Sequence, residues 1–375
     1  MQEKQYITAA QMGMMIFPVM VATADLLVPA TTARQAQQDM WMSPLIASLV
    51  GFLTVYLVFQ LHKLFPNESI IQFSGKIVGT FLGKLCGLLI LFDFLYCNGN
   101  IIRQYGEFIV GSFLLETPML VVVSSIVFLC AITVRAGVEV LARTAQVFVP
   151  IVVVLYAALF LLMIPSMKID NLFPMLEHGV IPVLRGAYTP QGWFSEVILF
   201  SFVLPFRANE EKGMRTGIVT VGMGMLALTG INLSTLLVLG KEVPYMAYPF
   251  YSAIQMISYA DFFENIDSIV IATWVTGAFI KISIFYFALA LGTAQWLRLE
   301  DYRPIVLPLG LLLVVFSFWA APNLSQLATN IQTIIGIQTT GYFTLIPLVL
   351  WIIAHLRKKK RMDPPNTMIP PPANE

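Results

Sequence analysis

Ten predominantly apolar stretches of membrane-crossing length follow one another along the 375-residue chain. They lie near residues 8–31, 43–64, 83–114, 118–135, 139–164, 190–206, 214–240, 266–297, 304–321 and 337–356. A helix needs about 20 such residues, at 1.5 Å each, to cross about 30 Å of hydrocarbon. Inside lipid every backbone N–H and C=O must find its partner within the protein, so continuous apolar stretches of this kind cross as helices. Only 11% of residues are charged, against roughly 25% in soluble domains, and 58% are hydrophobic, with a mean hydropathy of +0.79. That balance excludes a soluble enzyme, a nucleic-acid binder and a disordered scaffold, and a net charge of +1 offers no basic footprint for DNA or RNA. Cys86, Cys97 and Cys130 all sit inside apolar runs without CxxC spacing or a His partner. They read as small core hydrophobes, so neither a disulfide framework nor a metal site or cofactor is expected.

The basic residues orient the chain. With the N-terminus inside, sixteen of the 22 Lys and Arg fall in inside loops and the tail, four (Arg34, Lys168, Arg185, Lys241) fall outside, and Arg103 and Lys281 lie within spans. By the positive-inside rule both termini are cytoplasmic, which also requires an even number of spans. The expected organisation is one permease-like domain over residues 1–357, with repeats at about 8–164 and 190–356, followed by a basic and then Pro-rich disordered tail over 358–375. Aromatic and apolar spacing suggests an amphipathic surface helix within 241–265, and another along the inner face at 68–84. Both fit plain interfacial packing or a part in gating access.

Ten spans divide as five plus five, and an odd number per half places the second half upside down relative to the first. Secondary transporters with inverted repeats carry their substrate near the midplane, where the first helix of each repeat is interrupted. Span 1 has Pro18 followed by the small, polar run Ala22-Thr23-Ala24-Asp25, and span 6 has Ser201 and Pro205 in the corresponding region. Proline removes a backbone donor and disfavours helix at the residue before it. The expected fold is therefore all-α and integral to the membrane: ten transmembrane helices in a 5+5 inverted repeat, with helices 1 and 6 broken.

The run "VATADLLVPATTARQAQQDMWMSPLIASLVG" at 21–51, with "IRQYGEFI" in span 3 and "FIKISIFYFALALGTAQWL" in span 8, resembles the spore germination permease family (GerAB type), the B subunits of nutrient germinant receptors. Thr23, Leu26, Pro29 and "AQQDMWMS" match that family's opening motifs. The resemblance implies the leucine-transporter type of fold, within the amino acid–polyamine–organocation superfamily. It further implies a small-molecule germinant such as an amino acid, A and C partner subunits, and a place in the spore inner membrane. At the span 1 break the family's glycines are replaced by Ala22 and Ala24. Alanine narrows the space there and makes unwinding costlier, by up to about 1 kcal/mol per residue.

Ionisable groups at the bilayer centre cost roughly 2.5–3.5 kcal/mol on insertion scales, so each needs a reason. Asp25 in span 1, Asp93, Arg103 and Glu107 in span 3, Glu196 in span 6 and Lys281 in span 8 are the intramembrane charges, and all fall on the four spans that line the central site of an inverted repeat. Arg103 and Glu107, four apart, share a helix face and can pair. Counting along the spans places Asp25, Arg103, Glu107 and Glu196 together in an outer vestibule, and Lys281 with Asp93 in the inner half. These sets read either as buried ion pairs that fix helix register, or as a polar path in which Lys281 replaces a coupling sodium.

Broken-helix ends expose N–H groups to carboxylates and C=O groups to ammonium groups. The ligand is therefore expected at the backbone around Ala22, Thr23 and Ala24, and around Phe200, Ser201 and Phe202. Tyr96, Asn98 and Gly99 of span 3, and Thr273, Thr276 and Gly277 of span 8, would form the walls. Each has an ordinary alternative, since Thr and Ser bond their own helix carbonyls and Gly and Asn serve helix packing. No hydrolase or nucleotide-binding motif is present, and no catalytic residue is assigned. Two functions remain open: the nutrient-sensing subunit of a germinant receptor, or a proton-coupled amino-acid permease.

Overall fold

The computed structural model describes residues 6–208, 213–256 and 266–362. Its helices are α1 (Ala9–Val21), α2 (Ala24–Ala36), α3 (Ser43–Leu64), α4 (Ile70–Val78), α5 (Thr80–Ser112), α6 (Met119–Ala136), α7 (Val138–Met163), α8 (Ile181–Ala187), α9 (Pro190–Ser195), α10 (Phe200–Val203), α11 (Gly213–Leu239), α12 (Pro249–Gln255), α13 (Ile266–Leu297), α14 (Arg303–Ala320), α15 (Leu324–Asn330), α16 (Gly336–Thr340) and α17 (Ile346–Met362). Eight helical stretches among the described residues are long and apolar enough to cross a membrane. They account for spans 2–5 and 7–10. Spans 1 and 6 do not qualify as single long helices because each is interrupted, so the count of ten stands. The outward sides of the spans are apolar, with Val154 and Leu161 of α7 and Leu311 and Trp319 of α14 each about two-thirds exposed. Apolar exposure on that scale is stable only in lipid.

Local sequence sets the helix ends. Thr8 and Gln11 form a reciprocal capping box at the start of α1, and Ser69 and Gln72 form another at α4, each answering backbone donors that a helix start leaves bare. Gly79 and Gly137, at φ +93 and +108, turn the chain between α4 and α5 and between α6 and α7, a conformation that side chains resist. Ile7 bonds to Phe206 and Ala208 through its backbone (2.9 and 3.0 Å). The start of span 1 thus lies beside the end of span 6, and the two broken spans run antiparallel, as an inverted repeat requires.

The inner helix expected within 68–84 is α4. It buries Ile70, Ile71, Phe73 and Ile77 and crosses α5 so closely that a Cβ on Gly83 would stand 2.3 Å from Gly75 Cα. The outer segment expected to lie on the surface does otherwise at α12, which buries Phe250, Tyr251, Ala253 and Ile254 against α2, α11 and α13. Its remainder, 257–265, lies outside the described residues, as does the Pro-rich end from 363. Span 10 is not a regular helix: Ile331–Ile335 and Gly341–Leu345 are π-helical turns.

Candidate functional site

Span 1 breaks at Ala22–Thr23, between α1 and α2. The interruption is short: Ala22 still donates to Pro18 O at 2.9 Å, and Thr23 alone leaves helical geometry, at φ −122. Alanine at 22 and 24 resists leaving helical geometry more than glycine would, in keeping with so slight an unwinding. Span 6 is broken differently. Glu196–Leu199 form a 3-10 turn between α9 and α10, and Leu204–Phe206, with Pro205, form another after α10, so the interruption begins four residues before Phe200. Phe200, Ser201 and Phe202 lie in the single helical turn between the two. Phe200 and Phe202 pack in the aromatic core against Phe59 and Phe94 (ring centroids 5.7 and 5.3 Å), and Ser201 Oγ accepts from Ile70 N at 2.9 Å, tying α4 to span 6.

The two breaks meet around one ammonium group. Lys281 of α13 is wholly buried, with its Nζ 2.8 Å from Glu196 Oε2 and donating to Thr23 Oγ1 at 3.0 Å. Trp193 Nε1 donates to the same Thr23 oxygen at 3.1 Å. The span 1 kink, the span 6 turn and span 8 are thus joined through one lysine, one carboxylate, one hydroxyl and one indole. A buried pair of this kind holds only when both charges are present, because either alone is left uncompensated. Asn98 adds span 3, donating to Ile282 O at 3.4 Å, one residue beyond Lys281.

This corrects the expected pairing of Lys281 with Asp93. Asp93, also wholly buried, instead accepts from Gln338 Nε2 (2.7 Å) and lies beside Cys97 Sγ (3.8 Å), linking span 3 to span 10. The expected four-charge vestibule cluster does not form either. Arg103 and Glu107 pair with each other (2.6 Å), and Arg103 also donates to Pro322 O (2.8 Å) at the turn between spans 9 and 10. Asp25 sits in the first turn of α2, where its Oδ1 accepts from Leu26 N at 2.8 Å and its Oδ2 accepts the Tyr156 hydroxyl of span 5. A carboxylate at a helix start is favoured by the helix dipole. The half-helix end exposed by the break thus already holds a carboxylate of its own.

The remaining wall residues divide. Ala22, Thr273 and Gly277 line a small cavity with Tyr156 between spans 1, 5 and 8, while Ala24, on α2, is buried but does not line it. Gly277 meets the break directly, since a Cβ there would stand 2.9 Å from Ala22 Cβ. Tyr96 and Gly99 point instead to span 9, both against Phe316. Thr276 is half-buried and bonds Ala272 O on its own helix at 2.6 Å. Sequence reasoning missed Trp193, Tyr156, Asn100 and Gln104. A signal existed for the amides: Asp93, Cys97, Asn100 and Gln104 recur at helical spacing on one face of span 3. Among the described residues no group of three His, Cys, Asp or Glu could hold a metal ion.

A family model described as "Spore germination protein" matches residues 6–325. The chain is 28% identical to Spore germination protein KB of Bacillus subtilis (strain 168) over 370 residues, covering 96% of this chain and 97% of that protein. It is 24% identical to Spore germination protein YndE of the same strain over 371 residues, covering 94% and 97%. Among solved structures it resembles a Na+-coupled sialic acid symporter in a substrate-bound outward-open state (TM-score 0.66, 13% identity, 92% of this chain and 81% of that one). It also resembles MhsT in complex with L-phenylalanine (TM-score 0.65, 11% identity, 94% and 99%). Both neighbours have the leucine-transporter fold, which is the fold of this chain.

Proposed function

The chain belongs to the spore germination protein family, and we propose that it acts there as the nutrient-sensing B subunit of a germinant receptor. In this reading it binds a small germinant such as an amino acid at the mid-membrane junction of spans 1, 3, 6 and 8, and signals through A and C partner subunits. It lies in the spore inner membrane with both termini cytoplasmic, as the sixteen-to-four distribution of basic residues favours.

The observation that carries this reading is Lys281. Broken-helix ends in transporters coordinate the coupling Na+ or H+, which enters and leaves in each cycle. Here a tethered ammonium stands at the junction, held by Thr23 and Glu196. A fixed ammonium takes the place of a mobile Na+, so binding here needs no metal ion, and membership of the spore germination family favours sensing over proton-coupled transport. The discriminating experiment places the purified chain in proteoliposomes with labelled amino acid. Saturable binding without accumulation is expected, and robust uptake driven by a proton gradient would overturn the receptor reading in favour of a proton-coupled permease. In spores, deletion of the chain should abolish the response to one class of nutrient.

A further inference from the structure

On the outer side of the Lys281–Glu196 pair lies a second cavity, between spans 3, 6 and 10, whose mostly apolar lining carries a few side-chain oxygens. Its enclosed space is about 20 Å³, room for one ammonium-sized group, and the rest of an amine would lie in the open mouth. Asn100 and Gln104, 2% and 6% exposed, both line it, and each has a buried side-chain oxygen without a hydrogen-bond partner. The orientation of the Asn100 amide is set by its own helix, since Nδ2 donates to Tyr96 O at 2.8 Å, which leaves Oδ1 as the free acceptor. The carboxylate of Glu196 lines the same space. Of the donors at hand, the Trp193 indole is engaged by Thr23 and the Cys97 thiol lies beside Asp93 and Thr339, while Thr189 brings a hydroxyl to the same lining. Among the described residues no lysine, arginine or histidine lines the cavity.

Buried acceptors without donors are rare and costly in native proteins. Two on one cavity wall, beside a carboxylate, mark a place where a donor-rich cation is at home. Ile331 and Ile335, the ends of a π-helical turn, form the facing wall, and such turns concentrate at functional sites. Ile331 also borders the neighbouring cavity that reaches Arg34 at the outer end of α2. The site therefore adjoins an approach from the outer face.

We infer that this cavity is an ammonium subsite: Asn100 Oδ1, Gln104 Oε1 and the Glu196 carboxylate receive the N–H donors of a small primary amine, which competes with Lys281 for Glu196. The inference deepens the germinant-binding reading and rests on it for the biological source of the amine. The test is calorimetric titration of the full-length chain in nanodiscs, at ionic strength held with tetramethylammonium chloride, which has no N–H donor. n-Propylammonium is expected to bind and 1-propanol, matched in shape, to bind far more weakly. Asn100→Leu and Gln104→Met, which remove the free oxygens, should each weaken n-propylammonium binding about tenfold or more, the size of a hydrogen bond to a charged group. Gln104→Met should leave the thermal midpoint unchanged or raised, since it deletes an unsatisfied buried oxygen, whereas Asn100→Leu also gives up the bond to Tyr96 O and should lower it slightly.

Absence of n-propylammonium binding, equal binding by the variants, or equal binding of KCl would overturn the subsite. Spores report separately. If labelled amino acid binds the chain with no dependence on Asn100 or Gln104, the subsite falls and the receptor reading stands. If the subsite behaves as stated while deletion spores germinate normally, the receptor reading falls alone.

Discussion

Removing the charge of Lys281 should unbalance the junction of spans 1, 6 and 8 more than any other single change there. Lys281 has no solvent exposure, and its Nζ is 2.8 Å from Glu196 Oε2 and 3.0 Å from Thr23 Oγ1. Lys281→Met keeps the length of the side chain but leaves Glu196, itself 5% exposed, without its counter-charge. Breaking a buried pair from one side costs about 3–5 kcal/mol, whereas replacing both partners by uncharged groups is often neutral or stabilising. The single variant should therefore lower the thermal midpoint by roughly 6–15 °C, at about 2–3 °C per kcal/mol for a large chain. The double variant Glu196→Gln/Lys281→Met should recover most of that loss. Thermal unfolding of wild type, both singles and the double, in one detergent at one scan rate, measures the coupling as a double-mutant cycle. A double variant no more stable than Lys281→Met would refute the pairing as the source of the cost. The double variant should regain its fold without regaining the nutrient response, because the fixed cation is gone.

Three further outcomes follow from neighbouring contacts. Gly277→Ala places a Cβ 2.9 Å from Ala22 Cβ, so it should weaken germinant binding by pushing spans 1 and 8 apart, and Ala22→Gly in the same chain should restore binding measured by titration. Tyr156→Phe removes the donor to Asp25 Oδ2 and should cost about 1–3 kcal/mol of stability, the penalty of a buried acceptor left unanswered, read as a lowered thermal midpoint. Asp39, 3% exposed, accepts from Leu176 N through both oxygens, at 2.9 and 3.1 Å. Asp39→Ala should loosen the loop around residues 173–180, seen as faster limited proteolysis there while the spans stay intact.

The spans, their number and the two interruptions were legible because hydropathy acts residue by residue: lipid demands about 20 apolar residues per crossing, whatever the neighbouring helices do. The placing of intramembrane charge on spans 1, 3, 6 and 8 was legible for the same reason. Pairing was not. Lys281 was assigned to Asp93 by counting residues along each span, but α13 has 32 residues and α5 has 33. At 1.5 Å per residue each is about 48–50 Å long, well beyond about 30 Å of hydrocarbon. A count from the helix start therefore misjudges depth, and it is silent on which way each helix face turns. The break in span 6 was only half foreseen. Pro205 marks the 3-10 turn at Leu204–Phe206, but the helix also tightens at Glu196–Leu199, a region with no glycine or proline to announce it.

By itself, then, the sequence determined the medium, the ten crossings, the antiparallel halves and the family, because these depend on local composition and on short motifs such as "AQQDMWMS". Only the tertiary structure decided that one ammonium joins the two broken helices, that Asp25 answers to Tyr156, and that two amide oxygens of span 3 look into one cavity. Those relations depend on the rotation and depth of each helix. Both are set by the packing of side chains far apart in the chain, of which no single span carries a record.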